Sequence, residues 1–324
     1  MAEYSKRRLG TTDIWLSELG FGAGPAGWLR SERAEDDVLE LVEAAWSRGI
    51  RYFDTAPLYG YGASERRLGA FLRGQDRSAF VVSTKVGRRL LRPSEQRRAD
   101  MPFVFDYSAD ATLRSIEASC DRLGLQQIDI ALIHDIDTYT HGDAQPMRYR
   151  EALEGAHRAL DDLRHQGAVR AIGLGVNEWA VCESFAREVD IDCILLAGRH
   201  TLLERAAQRR FVPFCKEMGI GLIAGGPYNS GILASGAVVE AKYDYALADP
   251  EIVARVRRIE AVCNAFGNSL PGAGLAYCLR PSVVTSVIPG ISTLAELDTT
   301  VRAAAEVISD KFWPALEEAD PLGS

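Results

Sequence analysis

The chain has 324 residues, of which 47% are hydrophobic and 25% charged, so it can build a sizeable core and has none of the composition of a disordered chain. Its net charge of -8 and pI near 5.3 argue against a general binder of nucleic acid or anionic membrane, because both partners need a basic face. No apolar run approaches the roughly 20 residues of a membrane span, and the first ten residues lack the apolar stretch of a secretory signal, which predicts a cytoplasmic protein.

The first predicted element is a small hairpin over residues 8–15, where two short strand-like runs flank a Gly-Thr-Thr turn. Short apolar runs then alternate with amphipathic helical segments eight times. The predicted strand and helix pairs are 16–21 with 34–48, 51–53 with 64–73, 80–84 with 109–123, 128–133 with 149–166, 169–174 with 178–188, 192–196 with 206–218, 220–224 with 250–266, and 283–288 with 293–308.

The apolar runs show no strict polar alternation, as expected for strands that are buried on both faces of a parallel sheet. Eight such units favour a closed (β/α)₈ barrel of the TIM type, an α/β fold. A Rossmann domain is the weaker interpretation, because no GxGxxG motif follows the first predicted strand. We therefore expect residues 1–324 to form one barrel domain with an N-terminal β-hairpin.

Four long connections follow predicted strands, at 22–33, 86–107, 134–148 and 225–248. Loops beyond about 12 residues are usually functional or disordered, and in a barrel these four would gather over the C-terminal mouth. Aromatic residues in them are candidates to shape a pocket there, although loop packing explains each of them equally well. They are Trp28, Met101 to Phe105, Tyr139 and Tyr228.

Six cysteines are scattered singly, with no CxxC pair and no matching histidine spacing. This pattern predicts free and mostly buried thiols, and neither a disulfide framework nor a metal site.

Four polar residues fall at the ends of consecutive predicted strands: Asp54 and Tyr59 after the second, Lys85 closing the third, and His134 closing the fourth. Singly, they are explained as a turn, a strand cap or a packing residue. Together they suit proton transfer at an alcohol or carbonyl. A tyrosine pKa of about 10 is too high for a base near neutrality, so we expect Lys85, held by Asp54, to lower it. His134 would orient the substrate oxygen or share the proton.

None of these side chains carries hydride, so a nicotinamide cofactor is implied. The chain resembles the aldo-keto reductases along nearly all its length. The motifs that carry the resemblance are FDTAPLYG with SERRLG, STKVG, LIHD, GLGVNEW and VIPGIS. The resemblance implies a (β/α)₈ barrel, an extended NAD(P) at its mouth, and a catalytic tetrad of Asp54, Tyr59, Lys85 and His134.

Within the family, IHDID and LLAGRHTLLE look most like the sugar 1-dehydrogenase branch, which includes D-threo-aldose, L-fucose and L-galactose dehydrogenases, with pyridoxal 4-dehydrogenase close by. The resemblance implies oxidation of an aldose-type hemiacetal at C1 to a lactone, with Tyr59 as general base. The alternatives are pyridoxal oxidation, general aldehyde or ketone reduction, and, from another class, a noncatalytic cofactor-binding subunit. The substrate would be a small molecule, and no pattern predicts an oligomeric state.

The chain departs from the common family pattern in two places. Gly225 and Gly226 stand where many members have an aromatic residue that stacks on the nicotinamide, and no base follows Pro289-Gly290 before Arg302. Glu296 or Asp298 would repel a 2'-phosphate and accept from ribose hydroxyls, so NAD is expected over NADP. The expected cofactor contacts are Gly22, Ala23, Asn177, Pro227, Tyr228, Asn229, Gly231, Leu233, Pro289, Gly290, Ile291, Ser292, Thr293 and Glu296.

Overall fold

The computed structural model describes residues 4–91, 95 and 102–321. The strands of these residues, in chain order, are β1 (Lys6–Arg8), β2 (Trp15–Ser17), β3 (Phe21–Gly22), β4 (Tyr52–Asp54), β5 (Val81–Val86), β6 (Arg88–Leu90), β7 (Phe103–Phe105), β8 (Ile128–His134), β9 (Val169–Val176), β10 (Cys193–Ala197), β11 (Gly221–Gly225), β12 (Lys242–Tyr243), β13 (Ala246–Leu247) and β14 (Val284–Ile288).

The helices of the same residues are α1 (Gly24–Trp28), α2 (Ala34–Ser47), α3 (Ala63–Leu72), α4 (Ala109–Leu123), α5 (Thr138–His141), α6 (Gln145–Glu151), α7 (Arg158–His165), α8 (Trp179–Glu188), α9 (Ala207–Met218), α10 (Ile232–Ser235), α11 (Pro250–Ala265), α12 (Leu270–Leu279), α13 (Leu294–Ala304) and α14 (Phe312–Ala319). A π-helical segment, Ala152–His157, joins α6 to α7. No helix within the described ranges is both long and apolar enough to cross a membrane.

Eight parallel strands form one sheet in the order β3, β4, β5, β8, β9, β10, β11, β14. Parallel bridges from Leu19 to Val287 and from Gly22 to Gly290 join its two edges, so the sheet closes into the predicted (β/α)₈ barrel. Closure removes the unpaired edges that an open sheet would expose. The carboxyl ends of all eight strands therefore meet at one mouth.

The core has three parts. Side chains from inside the barrel pack on Leu9, Ile14 and Leu16 of the hairpin, which covers the end of the barrel opposite the mouth. The largest cluster lies between the strands and the surrounding helices. A further cluster joins α11, α12 and α14 outside the barrel. All six cysteines are free, and five of them are buried, as the sequence predicted.

One predicted boundary and one predicted packing position are wrong. The hairpin pairs β1 with β2, so Leu16 belongs to it, and the first barrel strand is shorter than residues 16–21. The predicted seventh barrel helix, 250–266, forms as α11 but packs on α14 instead of the barrel. Its expected place against β14 and α13 is taken by α12, which the sequence prediction left out.

Candidate active site

The folded chain brings Asp54, Tyr59, Lys85 and His134 to the mouth of the barrel. Asp54 ends β4, Lys85 lies one residue before the end of β5, and His134 ends β8. These three strands are neighbours in the sheet, which explains why their side chains converge although they are far apart in sequence. Tyr59 lies on the turn between β4 and α3.

The Tyr59 turn is held close to α1 by glycine. Gly60 has a φ of +60°, and a Cβ atom on it would lie 1.8 Å from the carbonyl oxygen of Gly27. Any side chain at position 60 would therefore push the turn away from α1. The ring of Tyr59 lies against Gly24 of the same helix, with 3.7 Å between Cε2 and the position of a Cβ atom.

Lys85 and Asp54 form a buried ion pair. Nζ of Lys85 donates to Oδ1 and Oδ2 of Asp54 at 2.9 and 2.7 Å, and to the carbonyl oxygen of Thr55 at 2.9 Å. Ser83 donates a further hydrogen bond of 2.7 Å to Oδ1. Burial acts to lower the pKa of Lys85, but Asp54 and Tyr59 outweigh it and raise that pKa above its usual value. The lysine is therefore fixed as an ammonium ion.

Tyr59 lies between this cation and His134. Nζ of Lys85 is 4.9 Å from the centre of the tyrosine ring, and the rings of Tyr59 and His134 meet edge to face at 6.0 Å. Burial raises the pKa of Tyr59 to about 12, with Lys85 lowering it and Asp54 raising it. The expected net lowering by Lys85 is wrong, because burial outweighs that one cation. The phenol is protonated at neutral pH.

His134 is a buried, neutral imidazole. Its pKa is held well below the usual value by burial first, and then by the charges of Lys85 and Arg88. Nε2 lies 3.2 Å from Oδ2 of Asp135, whereas Nδ1 is buried without a hydrogen-bond partner in the described residues. The nearby carboxylate favours the proton on Nε2, the nitrogen on the same side as Asp135.

Asp135 and Arg88 complete the site, and neither was predicted from the sequence as a functional residue. Nη2 of Arg88 donates to Oδ2 of Asp135 at 2.5 Å. Burial raises the pKa of Asp135 to about 6, above its ordinary value, against the lowering effect of Arg88. The only sequence signal was the position of Asp135 in the LIHD motif, directly after His134.

A cavity of about 230 Å³ opens above these residues. It is smaller than the roughly 300–1,000 Å³ typical of pockets for drug-sized ligands, so it suits a small substrate. Tyr139 and Thr140 of α5, and Tyr245 between β12 and β13, form part of its wall. Its lining is Leu58, Tyr59, Lys85, Arg88, His134, Asp135, Tyr139, Thr140, Gly175, Val176, Asn177, Leu195, Ala197 and Tyr245.

Of the aromatic residues expected to shape the pocket, Tyr139 lines it. Trp28 packs edge to face on Tyr61, and Tyr228 packs towards Gly274 of α12, so neither contributes. Phe103 and Phe105 lie on β7 and support the Arg88 guanidinium from 5.4 and 4.9 Å. Met101 falls outside the described residues. Tyr245 is the aromatic residue that the sequence prediction missed.

The expected cofactor contacts lie at the same mouth in three groups. Gly22 and Ala23 end the first barrel strand beside Pro289, Gly290 and Ile291 across the barrel seam, where Gly22 N donates to Pro289 O at 3.0 Å. Asn177 follows β9 and lines the cavity. Pro227 to Leu233 follow β11.

The third group differs from the expectation in detail. Asn229 is engaged within the protein, accepting from Thr201 Oγ1 at 2.5 Å and donating to Gly198 O at 2.9 Å. The side chain of Leu233 is buried in the outer cluster. Gly231 has a φ of +105° and no atom within 4 Å of where a Cβ would lie. Its backbone is therefore open to a ligand, which fits the close approach of a pyrophosphate.

The side chain of Glu296 caps the start of α13. Glu296 Oε2 accepts from Ser292 N at 2.7 Å, Ser292 Oγ at 2.8 Å and Thr293 N at 3.2 Å, and Thr293 Oγ1 accepts from Glu296 N at 3.2 Å, a capping box. Asp298 pairs with Arg48 of α2 at 2.5 Å. Arg48 is a nearby base that the sequence reasoning did not consider.

Comparison with known proteins agrees with this fold. The model of the aldo/keto reductase family matches residues 18–321. Pyridoxal 4-dehydrogenase of Microbacterium luteolum is 38% identical over 96% of each chain, and D-threo-aldose 1-dehydrogenase of a Pseudomonas species is 38% identical over 94% of each. The holo form of an aldo-keto reductase from Bacillus halodurans has a TM-score of 0.80 at 23% identity, covering 98% of this chain and 97% of that one.

The family match extends over more than nine-tenths of the chain, and the two relatives exceed one third identity over nearly their whole length. The resemblance stated from the motifs is confirmed. The chain belongs to the aldo/keto reductase family of oxidoreductases.

Proposed function

We propose that the chain is an NAD-dependent dehydrogenase that oxidises a small cyclic hemiacetal of the aldose type, such as L-fucose, D-arabinose or L-galactose, at C1 to a lactone. The observation that carries this proposal is the small cavity whose wall brings together Tyr59, Lys85 and His134. A phenol, a fixed cation and a neutral imidazole around one small space suit proton transfer at a hydroxyl group.

The residues at the mouth fit a nicotinamide cofactor. The open backbone at Gly231 suits a pyrophosphate, and Asn177, which lines the cavity, offers a side-chain amide to a carboxamide. When bound, the cofactor supplies the hydride acceptor, and its positive charge in the oxidised form favours deprotonation of a nearby phenol.

Tyr59 removes the proton of the C1 hydroxyl group. To do so Tyr59 acts as its phenolate, whose negative charge Lys85 stabilises before the transfer, and Asp54 keeps the lysine charged and aimed at the ring. His134 holds the substrate oxygen through Nε2, because a neutral imidazole there can donate one hydrogen bond. The hydroxyl proton passes to the phenolate oxygen of Tyr59, which becomes a neutral phenol, and C1 loses the hydride that a bound nicotinamide would accept.

NAD is proposed over NADP because of Glu296. Its carboxylate accepts from the backbone N–H groups of Ser292 and Thr293, directly before α13. A 2'-phosphate at this position would meet a negative charge.

Pyridoxal oxidation is the second candidate, since the pyridoxal 4-dehydrogenase relative is as similar to the chain as the aldose dehydrogenase. Pyridoxal forms a ring hemiacetal, so the chemistry at the reacting carbon is almost the same. A noncatalytic cofactor-binding subunit is disfavoured by the complete Asp54, Tyr59, Lys85 and His134 arrangement.

The test is a panel of aldoses and pyridoxal, followed by NADH absorbance with NAD and NADP in parallel. Oxidation of at least one aldose with a higher kcat/KM for NAD than for NADP supports the proposal. Activity on pyridoxal and on no aldose would favour pyridoxal oxidation as the function. A clear preference for NADP would contradict the assignment of NAD as the cofactor.

A further inference from the structure

The IHDID segment carries two aspartates whose carboxylates are used differently. Asp137 is fully buried, and both of its oxygens are engaged by backbone groups: Oδ1 accepts from Thr140 N at 2.9 Å, and Oδ2 accepts from Asn177 N at 3.1 Å. Asp137 therefore shapes the loop. Asp135 lines the cavity instead.

The backbone of Asp135 is held so that its side chain points into the cavity. Its φ of +48° is in the left-handed region, which residues other than glycine seldom adopt. This conformation is maintained by bonds on both sides: Asp135 N donates to Gly175 O at 3.0 Å, and its carbonyl oxygen accepts from Tyr107 OH at 2.7 Å. Nε2 of His141 lies 2.8 Å from the same carbonyl oxygen.

One carboxylate oxygen of Asp135 accepts a hydrogen bond within the protein, and the other does not in the described residues. Oδ2 accepts from Arg88 and lies 3.2 Å from Nε2 of His134. Oδ1 has no hydrogen bond from any described residue, and it is not sealed from the cavity. The side chain is 12% exposed and lines the cavity, so a ligand bound there can reach this oxygen.

The order of groups along the cavity wall is Tyr59, His134, Asp135. The first two rings lie 6.0 Å apart, and the third follows within 3.2 Å of the imidazole. A substrate hydroxyl group held between Tyr59 and His134 places the next carbon, and the group that it carries, towards Asp135.

We propose that Asp135 is a specificity-determining residue whose Oδ1 accepts a hydrogen bond from the hydroxyl group on the carbon next to the reacting carbon, C2 of an aldose. Arg88 fixes the carboxylate through Oδ2. This inference rests on the proposed function and narrows it to substrates with a hydroxyl group beside the carbon that is oxidised. A hydrogen bond to a charged group contributes more to discrimination than one between neutral groups.

The test compares D-arabinose with 2-deoxy-D-ribose, which is its 2-deoxy analogue, by kcat/KM with NAD. We expect the wild type to prefer D-arabinose by about 10- to 100-fold, as hydrogen bonds to charged groups imply. Asp135→Ala should reduce this preference to within about threefold. Asp143→Ala, which removes an exposed carboxylate beside the same mouth, should leave the preference unchanged.

A structural role alone would lower activity on both sugars equally and leave their ratio as in the wild type, and that result overturns the inference. Asp135→Asn keeps the size of the side chain and serves if the alanine variant unfolds, as judged by circular dichroism. It should weaken the preference by about tenfold, because it removes the charge. If the wild type oxidises neither sugar but does oxidise another aldose of the panel, the same comparison is made with that aldose and its 2-deoxy analogue, whereas oxidation of no aldose refutes the proposed function itself.

Discussion

Lys85 presents its ammonium group to both carboxylate oxygens of Asp54, at 2.9 and 2.7 Å, in a site from which solvent is excluded. Lys85 therefore holds a fixed positive charge beside Tyr59. Lys85 and Asp54 each compensate the buried charge of the other. Taking away one charge leaves the opposite charge buried and uncompensated.

Lys85→Met should remove more than about 99% of turnover, which corresponds to roughly 3 kcal/mol of transition-state stabilisation. It should also lower the free energy of unfolding by about 3–5 kcal/mol, because Asp54 stays buried without its cation. Steady-state kinetics and urea unfolding measure the two effects. Combining it with Asp54→Asn should restore part of the stability and none of the activity. Unchanged turnover in Lys85→Met would show that the assigned tetrad is wrong.

Tyr59→Phe should abolish NADH formation while leaving the melting temperature within a few degrees of the wild type, because only one hydroxyl group is removed. Tyr61→Phe is the matched control. Tyr61 lies two residues away on the same turn, packs on Trp28 and does not line the cavity. Substantial NADH formation by Tyr59→Phe would favour a different proton-transfer group.

The pH profile of kcat/KM for an aldose should fall as the pH decreases through about 6. Asp135, whose pKa is about 6, gains a proton there and loses the charge that accepts the substrate hydroxyl group. Burial holds the pKa of His134 well below its usual value and lowers the pKa of His141, so a fall that depended on His134 would come at a lower pH. In Asp135→Asn the inflection should disappear, and an unchanged profile would assign it to another group.

On the alkaline side, kcat/KM for NAD should keep rising above pH 8. This constant reports groups of the free enzyme, and Tyr59 has a pKa of about 12 there, so its basic form increases with pH. The rate of the reverse reaction, carbonyl reduction, should stay nearly constant from about pH 8 to about pH 10, because it uses the protonated phenol, which remains the main form well below a pKa of about 12. A plateau already reached at pH 7 would contradict this assignment.

Glu296→Gln should raise the ratio of kcat/KM for NADP to that for NAD by about five- to tenfold. Glutamine can keep the capping-box hydrogen bond, so the change isolates the charge. Glu251→Gln removes an acidic residue from the first turn of α11, away from the mouth, and should leave the ratio unchanged. Equal effects of the two changes would indicate a general charge effect.

Asp320→Asn should destabilise the fold by about 3–5 kcal/mol, measured by urea unfolding, since the fully buried Arg205 would lose the carboxylate that lies 2.5 Å away. Glu317→Gln is its control. Glu317 also faces Arg205, at 3.3 Å, but is half exposed, so its loss should cost only about 0–1 kcal/mol. If both variants lowered the free energy of unfolding by a similar amount, burial of the ion pair would not explain its contribution to stability.

Much of the architecture is local in origin, which is why the sequence predicts it. Short apolar runs, each followed by an amphipathic segment, specify the eight strand and helix units. Helix α12 was missed because Pro271, Gly272 and Gly274 resemble a break in structure. In the fold, Pro271 lies in the first turn of α12, and the ring of Tyr228 packs against Gly274.

The electrostatics of the site depend on contacts that the sequence does not display. Lys85 was expected to lower the pKa of Tyr59, but the depth of burial, which raises it, comes from the whole fold. Arg88 and Asp135 are 47 residues apart and meet only because β5 and β8 are adjacent. The four tetrad residues were predicted from their motifs, and their catalytic roles stay predictions for the variants above.

The chain leaves the barrel at Gly225 and returns to it at α12, so residues 226–269 form one excursion that carries Tyr245 over the cavity and α11 outside it. Exchanging this excursion between relatives would reshape the substrate cavity while the strands that hold Asp54, Lys85 and His134 stay in place. The graft would have to include α14 and Asp320, because Asp320 accepts from Arg255 and Arg258 of α11 at 3.1 and 2.8 Å. A change of substrate range made by exchanging residues 226–269 would therefore have to include α14 and Asp320 as well.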